Sequence, residues 1–401
     1  MLRNIGLIVL LSLLQCNSWG QSYNYWIKKS DFEGLKRERA VAFTIGDFAF
    51  VGTGVDTAEN VCNDFWKYDP LLDSWTQVAS LPGVARRNAV AFTIGKKGYV
   101  GTGFTHAESL LGVELNDFWE YNAITNQWTQ KANYPSTPVY FATGFSVQDK
   151  GYICGGKRGP NNYTSILREY DPQTNTWSSK ANFPGGVRYQ LSSFVIENSA
   201  YVGLGTDQDM YRNDIWEYNP SENEWTQKAD LPASERASSH AFSIGFRGYI
   251  CMGTNGGYLD DLWEYNPYDN SWSVRAPYGG TRRKGGVAFT LLGKGYVGLG
   301  KGNSGKKASF WQYIPGSWVG LSESDELSFE VYPNPATDVL YVNSDKYTID
   351  QLFLTDMQGK IIVNTFNPTV IDITHLTPGN YQLIAYNKAE GIRSSKKIIV
   401  E

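Results

Sequence analysis

Arginine recurs six residues before a phenylalanine at Arg37, Arg86, Arg188, Arg236 and Arg283, with Val139 at the equivalent place of a sixth copy. A guanidinium is a planar fork that suits carboxylates and other anions. A second column carries Asp64, Asp117, Asp214 and Asp261, with Ile166 and Ser309 in the other two copies. Four copies hold both charges, and the Val139 copy holds neither. That co-occurrence predicts a structural ion pair within each of four units: Arg37 with Asp64, Arg86 with Asp117, Arg188 with Asp214, and Arg236 with Asp261. Arg283 faces Ser309 and lacks such a carboxylate. Arg282, Lys284, Lys301, Lys306 and Lys307 cluster around it in sequence. Arg283, Arg282 and Lys301 are therefore candidates for an anion site that suits a carboxylated sugar.

Other candidates lie in longer connections. Lys157, Arg158, Asn161, Asn162 and Tyr163 form one group; Asp207, Asp209 and Tyr211 form another; His106 and Glu108 form a third. Tyrosine and asparagine suit sugar faces and hydroxyls, and they suit protein partners equally. His106 and His240 fall in different contexts, which is poor support for a metal centre. No cysteine pair has zinc-ligand spacing, no phosphate-binding loop is present, and no serine sits in a nucleophile elbow. No cofactor or metal is expected. The net charge of −4 comes without a basic block, which argues against nucleic-acid binding.

The elements that must position these residues are short strands. The 401 residues include 41 Gly, 26 Tyr, 19 Phe and 13 Trp, and helical periodicity is absent. Trp26, Trp75, Trp128, Trp177, Trp225, Trp272 and Trp318 are spaced by 49, 53, 49, 48, 47 and 46 residues. A period near fifty with four strand-like pieces per unit is the mark of a β-propeller blade. Gly52, Gly101, Gly155, Gly203, Gly253 and Gly298 give a count of six blades, so one tryptophan is spare. Either Trp26 or Trp318 supplies the outer strand that closes the ring. Closure through Trp26-Ile27-Lys28-Lys29 would protect the edge strands.

The Gly-Tyr strand, the Trp-Glu-Tyr strand and the terminal Trp resemble kelch repeats over residues 26–318. In that fold the connection into the first strand and the loop between the second and third strands open on one face, beside the central channel. The resemblance places the arginine column and the long loops together at that mouth. The kelch family includes binding scaffolds and a few enzymes, among them the copper protein galactose oxidase, so the fold alone assigns no activity.

The two ends differ from the body. Arg3, the apolar run Ile5 to Leu14 and Ser18-Trp19-Gly20 have the layout of a signal peptide over 1–20. Cleavage after Gly20 competes with acylation at Cys16, which the preceding Leu14-Gln15 fits poorly. The run is short for a membrane span, and no later segment is long and apolar enough to be one. Cys62, Cys154 and Cys251 remain, an odd count that argues against a disulfide framework. The repeat ends near residue 320. Residues 321–328 read as a linker and 329–401 as a small Ig-like β-sandwich of about seven strands. Tyr332-Pro333-Asn334-Pro335, Met357-Gln358-Gly359-Lys360, Leu376 to Tyr381 and Lys396-Lys397-Ile398-Ile399-Val400 resemble the C-terminal sorting domain of type IX secretion in the Bacteroidetes. That resemblance implies export to the outer cell surface or beyond, with the secretion machinery as a partner.

The expectation is an all-β exported protein whose propeller binds glycan or a surface protein at its loop-bearing face. The rival is a carbohydrate-active enzyme resembling bacterial N-acetylneuraminate epimerase, for which the residues supply no evident acid–base pair. An adhesion or structural role is a third reading.

Overall fold

The computed structural model describes residues 24–106, 112–207, 210–315, 329–344, 348–356, 361–366, 369–387 and 392–401. The signal segment, Cys16, Glu108, Asp209, Trp318, the linker 321–328 and Met357 to Lys360 lie outside the described residues.

All regular structure among the described residues is β, in the fold class expected. Six antiparallel sheets of four strands form the propeller. Blade one comprises Val41–Ile45, Phe48–Gly52, Phe65–Asp69 and Ser74–Val78. The first strands of the next four blades are Val90–Ile94, Thr143–Val147, Ser192–Ile196 and His240–Ile244. Blade six comprises Val287–Leu291, Lys294–Gly298 and Phe310–Ile314, and its fourth strand is the N-terminal Tyr25–Lys29. Trp26 stands opposite Tyr313 in that pairing, so the N-terminal segment closes the ring.

First strands pack against the first strands of both neighbouring blades and so line the axis. Small residues make that approach possible. A Cβ on Gly98 would lie 2.1 Å from the Phe43 ring of the preceding blade. Gly151, Gly248 and Gly295 receive Phe92, Phe194 and Phe242 in the same way. Farther out, Tyr and Trp fill the widening wedge, as at Tyr121, whose ring sits 4.9 Å from that of Trp128. One detail of the glycine column differs from expectation. The second strands of blades three and five end on Cys154 and Cys251, and Gly155 and Gly253 lie beyond them. Both thiols are buried and free, two blades apart, and burial pushes that of Cys154 up to about 12.

Three closed cycles of hydrogen bonds join the blades. The innermost runs through the backbone of Arg39, Asn88, Phe141, Gln190, Ser238 and Gly285. Each N–H donates to the carbonyl of the preceding member, at 2.6 Å (Arg39 to Gly285), 3.1, 3.1, 2.8, 3.1 and 3.3 Å. All six residues have φ between 52° and 62°. This left-handed bend turns each N–H toward one neighbour and each carbonyl toward the other, at about 1 kcal/mol for each residue with a side chain. The second cycle is made by indoles. Trp75, Trp128, Trp177, Trp225, Trp272 and Trp26 donate to Ser30, Ala79, Ala132, Ala181, Ala229 and Ala276 carbonyls of the preceding blade. In the third, the backbone N–H of each of those six carbonyl residues donates to the side chain of Asp73, Asn126, Asn175, Asn223, Asn270 or Asn24. Trp26 and Asn24 thus complete both outer cycles.

The C-terminal unit has two sheets around one apolar core. One holds Glu330–Tyr332, Val339–Asn343 and Val370–Asp372; the other holds Gln351–Asp356, Ile361–Phe366, Gly379–Asn387 and Ile392–Val400. Leu340 and Ile371 from the first meet Leu352, Leu354, Leu383 and Ile398 from the second. The Asn334 amide clamps the last strand, donating to the Lys397 carbonyl and accepting from Ile399 N–H, both at 2.8 Å. This explains why the Tyr-Pro-Asn-Pro segment and the terminal Lys-Lys-Ile-Ile-Val segment occur together.

Truncating Trp26 removes the indole bond and the edge contact with Tyr278 at 5.1 Å. Trp26→Ala is expected to destabilise the propeller by about 3 kcal/mol, measured by denaturant unfolding of the full chain. An unchanged midpoint would show that the N-terminal strand does not close the ring.

Candidate functional site at the channel mouth

The arginine column is buried beside the axis. Arg37 Nη1 and Nη2 reach Asp64 at 2.6 and 2.8 Å, Arg86 reaches Asp117 at 2.6 and 2.6 Å, and Arg236 reaches Asp261 at 2.6 and 2.7 Å. Arg188 holds Asp214 in the same two-pronged way. Each Nη1 also donates to a carbonyl just past the second strand: Thr53, Thr102, Leu204 and Met252. The indoles of Trp66, Trp119, Trp216 and Trp263 donate to the same carboxylates. These groups fix the loop after the second strand onto the connection that enters the first.

Burial alone would raise the carboxyls of Asp64, Asp117 and Asp261, but the Arg bonds, the Arg charge and the indole N–H outweigh it and hold all three low.

Arg283 is built in the same way and is 1 % exposed. Its donors go to the Leu299 carbonyl at 3.0 Å, the Thr281 carbonyl at 2.8 Å and the Ser309 hydroxyl at 3.1 Å. Its guanidinium lies 5.0 Å from the Tyr278 ring. The loss of the aspartate is met by neutral partners inside the blade, so the structure does not bring Arg283 to the mouth as the anion anchor expected of it. Arg282 is exposed and paired with Asp260 at 2.8 Å. His240 is buried on the first strand of blade five, where desolvation and then the Arg283 charge push its imidazole down to about 3. Its Nε2 accepts from Gly286 N–H at 2.7 Å. His106 is exposed in blade two, and its carbonyl accepts from Arg87. Tyr211 bridges to Thr206 in blade four, beside the Arg212–Asp207 pair at 2.5 Å.

Next to the arginine column stand the residues that follow it, four of the first set buried and Tyr189 and Lys284 half-buried. At the first position stand Glu38, Arg87, Tyr140, Tyr189, Ala237 and Lys284. Each bridges to the loop after the second strand, through Val55, Phe104, Lys157, Thr206, Thr254 and Lys301. At the second position stand the six left-handed residues of the inner cycle. Arg39 lies 5.6 Å from the Phe141 ring two blades away, so these side chains meet across the axis.

Two walls of different character result. On blades two to four, Phe104 faces Tyr140 at 4.9 Å, Phe141 faces Tyr189 at 5.9 Å, and Tyr163 stacks on Tyr189 at 4.9 Å and 10°. Lys157 lies over both tyrosines, at 5.6 and 5.5 Å, and burial lowers its ammonium pKa. Arg158 donates to Ser136 at 3.1 Å, at the edge of this wall. On blades six and one stand Lys284, Lys301, Arg39 and Glu38. Lys306 is buried beneath them and ties the two blades through the Asp56 carbonyl and Glu59, both at 2.6 Å.

Of the residues singled out in the sequence, Lys157, Tyr163, Lys284 and Lys301 therefore stand at the mouth. Glu38, Arg39, Tyr140, Phe141 and Tyr189 were missed. They occupy the two positions after each column residue, including Val139, but the unrelated side chains there leave no residue-type pattern to mark them.

No group of three or more His, Cys, Asp or Glu suited to a metal occurs among the described residues, and no helix is long and apolar enough to cross a membrane.

Comparison with known proteins agrees with this architecture. Residues 131–297 match the KLHDC2/KLHL20/DRC7 Kelch-repeats domain. Residues 330–401 match the Secretion system C-terminal sorting domain. The chain is a kelch-repeat propeller carrying a type IX sorting domain, which directs it to the cell surface or the exterior. A solved structure described as "Structure of YjhT" is similar with a TM-score of 0.63 and 16% identity, covering 73% of this chain and 99% of that one. At that identity the likeness concerns the fold. No curated protein matches.

Asp117→Asn leaves the Arg86 charge buried without its counter-ion and is expected to cost about 3 kcal/mol, measured by denaturant unfolding. The pH dependence follows from the depressed carboxyls. Their folded values lie below the unfolded value of about 3.9, so their stabilisation is full above pH 4 and is lost as pH falls through the folded values. Wild type is expected to lose stability steeply below pH 4, with a shallower loss in Asp117→Asn.

Proposed function

We propose that the exported propeller is a binding module that takes a saccharide at the channel mouth. The observation that carries this is the aromatic wall of Tyr163, Tyr189, Tyr140 and Phe141 with Lys157 laid over it. Flat aromatic faces bind the apolar face of a sugar ring, and the tyrosine hydroxyls and lysine supply hydrogen bonds at its rim. The wall stands on connections held by the inner backbone cycle, with the Arg188–Asp214 pair beside Tyr189, so little ordering is required on binding. Export supports the same reading, because a module displayed outside the cell meets polysaccharides there.

A glycan array probed with the full chain should give a family of related saccharides. Tyr163→Ala and Tyr189→Ala are each expected to weaken the best of them by roughly tenfold, measured by calorimetry. An empty array, or variants that bind as wild type does, would remove the saccharide reading.

A further inference from the structure

The wall opposite the aromatic one has a composition of its own. Lys284 and Lys301 pair through their backbones at 3.0 and 2.9 Å, which sets both side chains on the seam between blades six and one. Arg39 joins them, because its N–H is tied to Gly285 at 2.6 Å. Among them stands Glu38, 1 % exposed, at the end of the short strand Arg37–Glu38 and immediately before Arg39.

This carboxylate is not paired in the manner of the aspartate column. Arg39 Nε stays 3.7 Å from it and Lys301 Nζ 3.9 Å, against 2.6 Å in the Arg37–Asp64, Arg86–Asp117 and Arg236–Asp261 pairs. Glu38 Oε1 is buried and makes no hydrogen bond. Lys284 Nζ has only the Tyr258 ring, 5.8 Å away, as a partner among the described residues. Burial, followed by the charges of Arg39 and Lys301, lowers the Lys284 ammonium pKa, while Glu38 opposes that shift. Three cations and one carboxylate leave a net charge of about +2 in a partly desolvated seam, with donor capacity unspent.

We infer that this seam is an anion subsite, and that the saccharide taken at the mouth is an acidic one, with its carboxylate or sulfate ester held by Lys284, Lys301 and Arg39. The inference rests on the saccharide reading above and adds the charge of the ligand to it. Arg39 connects the two walls, since it lies both beside Glu38 and over Phe141. A sugar ring stacked on the aromatic wall therefore has its acidic substituent directed toward the seam. Glu38 acts as an internal counter-ion that keeps three cations together when no ligand is present, and it opposes an incoming anion.

The test is calorimetry on the full chain with three probes: tetragalacturonate, its carboxyl-reduced galactose counterpart, and a sulfated galactose tetramer. At least one acidic probe should bind about tenfold more tightly than the reduced one, and which acid does so identifies the anion. Lys284→Gln and Lys301→Gln should each weaken the acidic probe roughly fivefold and leave the neutral probe within about twofold. Glu38→Gln should strengthen the acidic probe. Wild-type binding of the acidic probe should fall with added salt while neutral binding does not, a readout that needs no variant. Equal binding of acidic and neutral probes without salt dependence, or lysine variants that keep acidic binding, would overturn the anion subsite and leave the saccharide reading standing. No binding of any probe, joined to an empty glycan array, would overturn both.

Discussion

The inner cycle of six backbone hydrogen bonds is the constraint on which the rest of the propeller depends. It exists only if all six blades are present and the ring is closed, because each residue both donates and accepts around the axis. Each bond contributes modestly, on the order of 1 kcal/mol. The cyclic arrangement makes them interdependent, and it sets the radius at which the first strands stand. That radius forces the close approach of Gly98 to Phe43 and its equivalents. The outer cycles, through indoles and asparagines, repeat the constraint at the rim. The N-terminal segment supplies Trp26 to one and Asn24 to the other, so the sheet of the sixth blade is completed by the first part of the described chain.

The arginine–aspartate pairs serve this frame. They hold the loop after each second strand against the connection that carries the left-handed residue. Buried ion pairs contribute little net stability after desolvation, yet removing one partner is costly. Their value here is geometric: they fix where the mouth residues stand. Blade three lacks the pair, with Val139 and Ile166 in its place. Blade six replaces the acid with Ser309 and neutral carbonyls. The frame thus accepts an apolar or a neutral solution in the slot, provided the buried groups are satisfied.

Much of this was legible in the sequence because it repeats. Tryptophans at a period near fifty announce blades, since a bulky residue is needed at each rim. The Arg and Asp columns could be read as partners because they are present or absent together. The mouth was harder to read. Glu38, Arg87, Tyr140, Tyr189, Ala237 and Lys284 occupy one structural position with unrelated side chains, so no pattern marks them. Arg283 misled for the opposite reason. It stands in a strong column without its acid, which reads as a free charge, and only the structure reveals the carbonyls and hydroxyl that receive it. Closure by Trp26 also needed the structure, since both ends of the repeat carry a suitable tryptophan.

The left-handed residues of the inner cycle have a consequence for how this mouth changes over generations. Five of the six carry side chains, and these are as different as Arg, Asn, Phe, Gln and Ser. Their backbone role is met by N–H and C=O alone, so the side chain at each place is released from any duty to the fold. The mouth therefore behaves as a six-character register written on a fixed page. The frame itself does not dictate these characters, so two proteins sharing it can differ in what they hold.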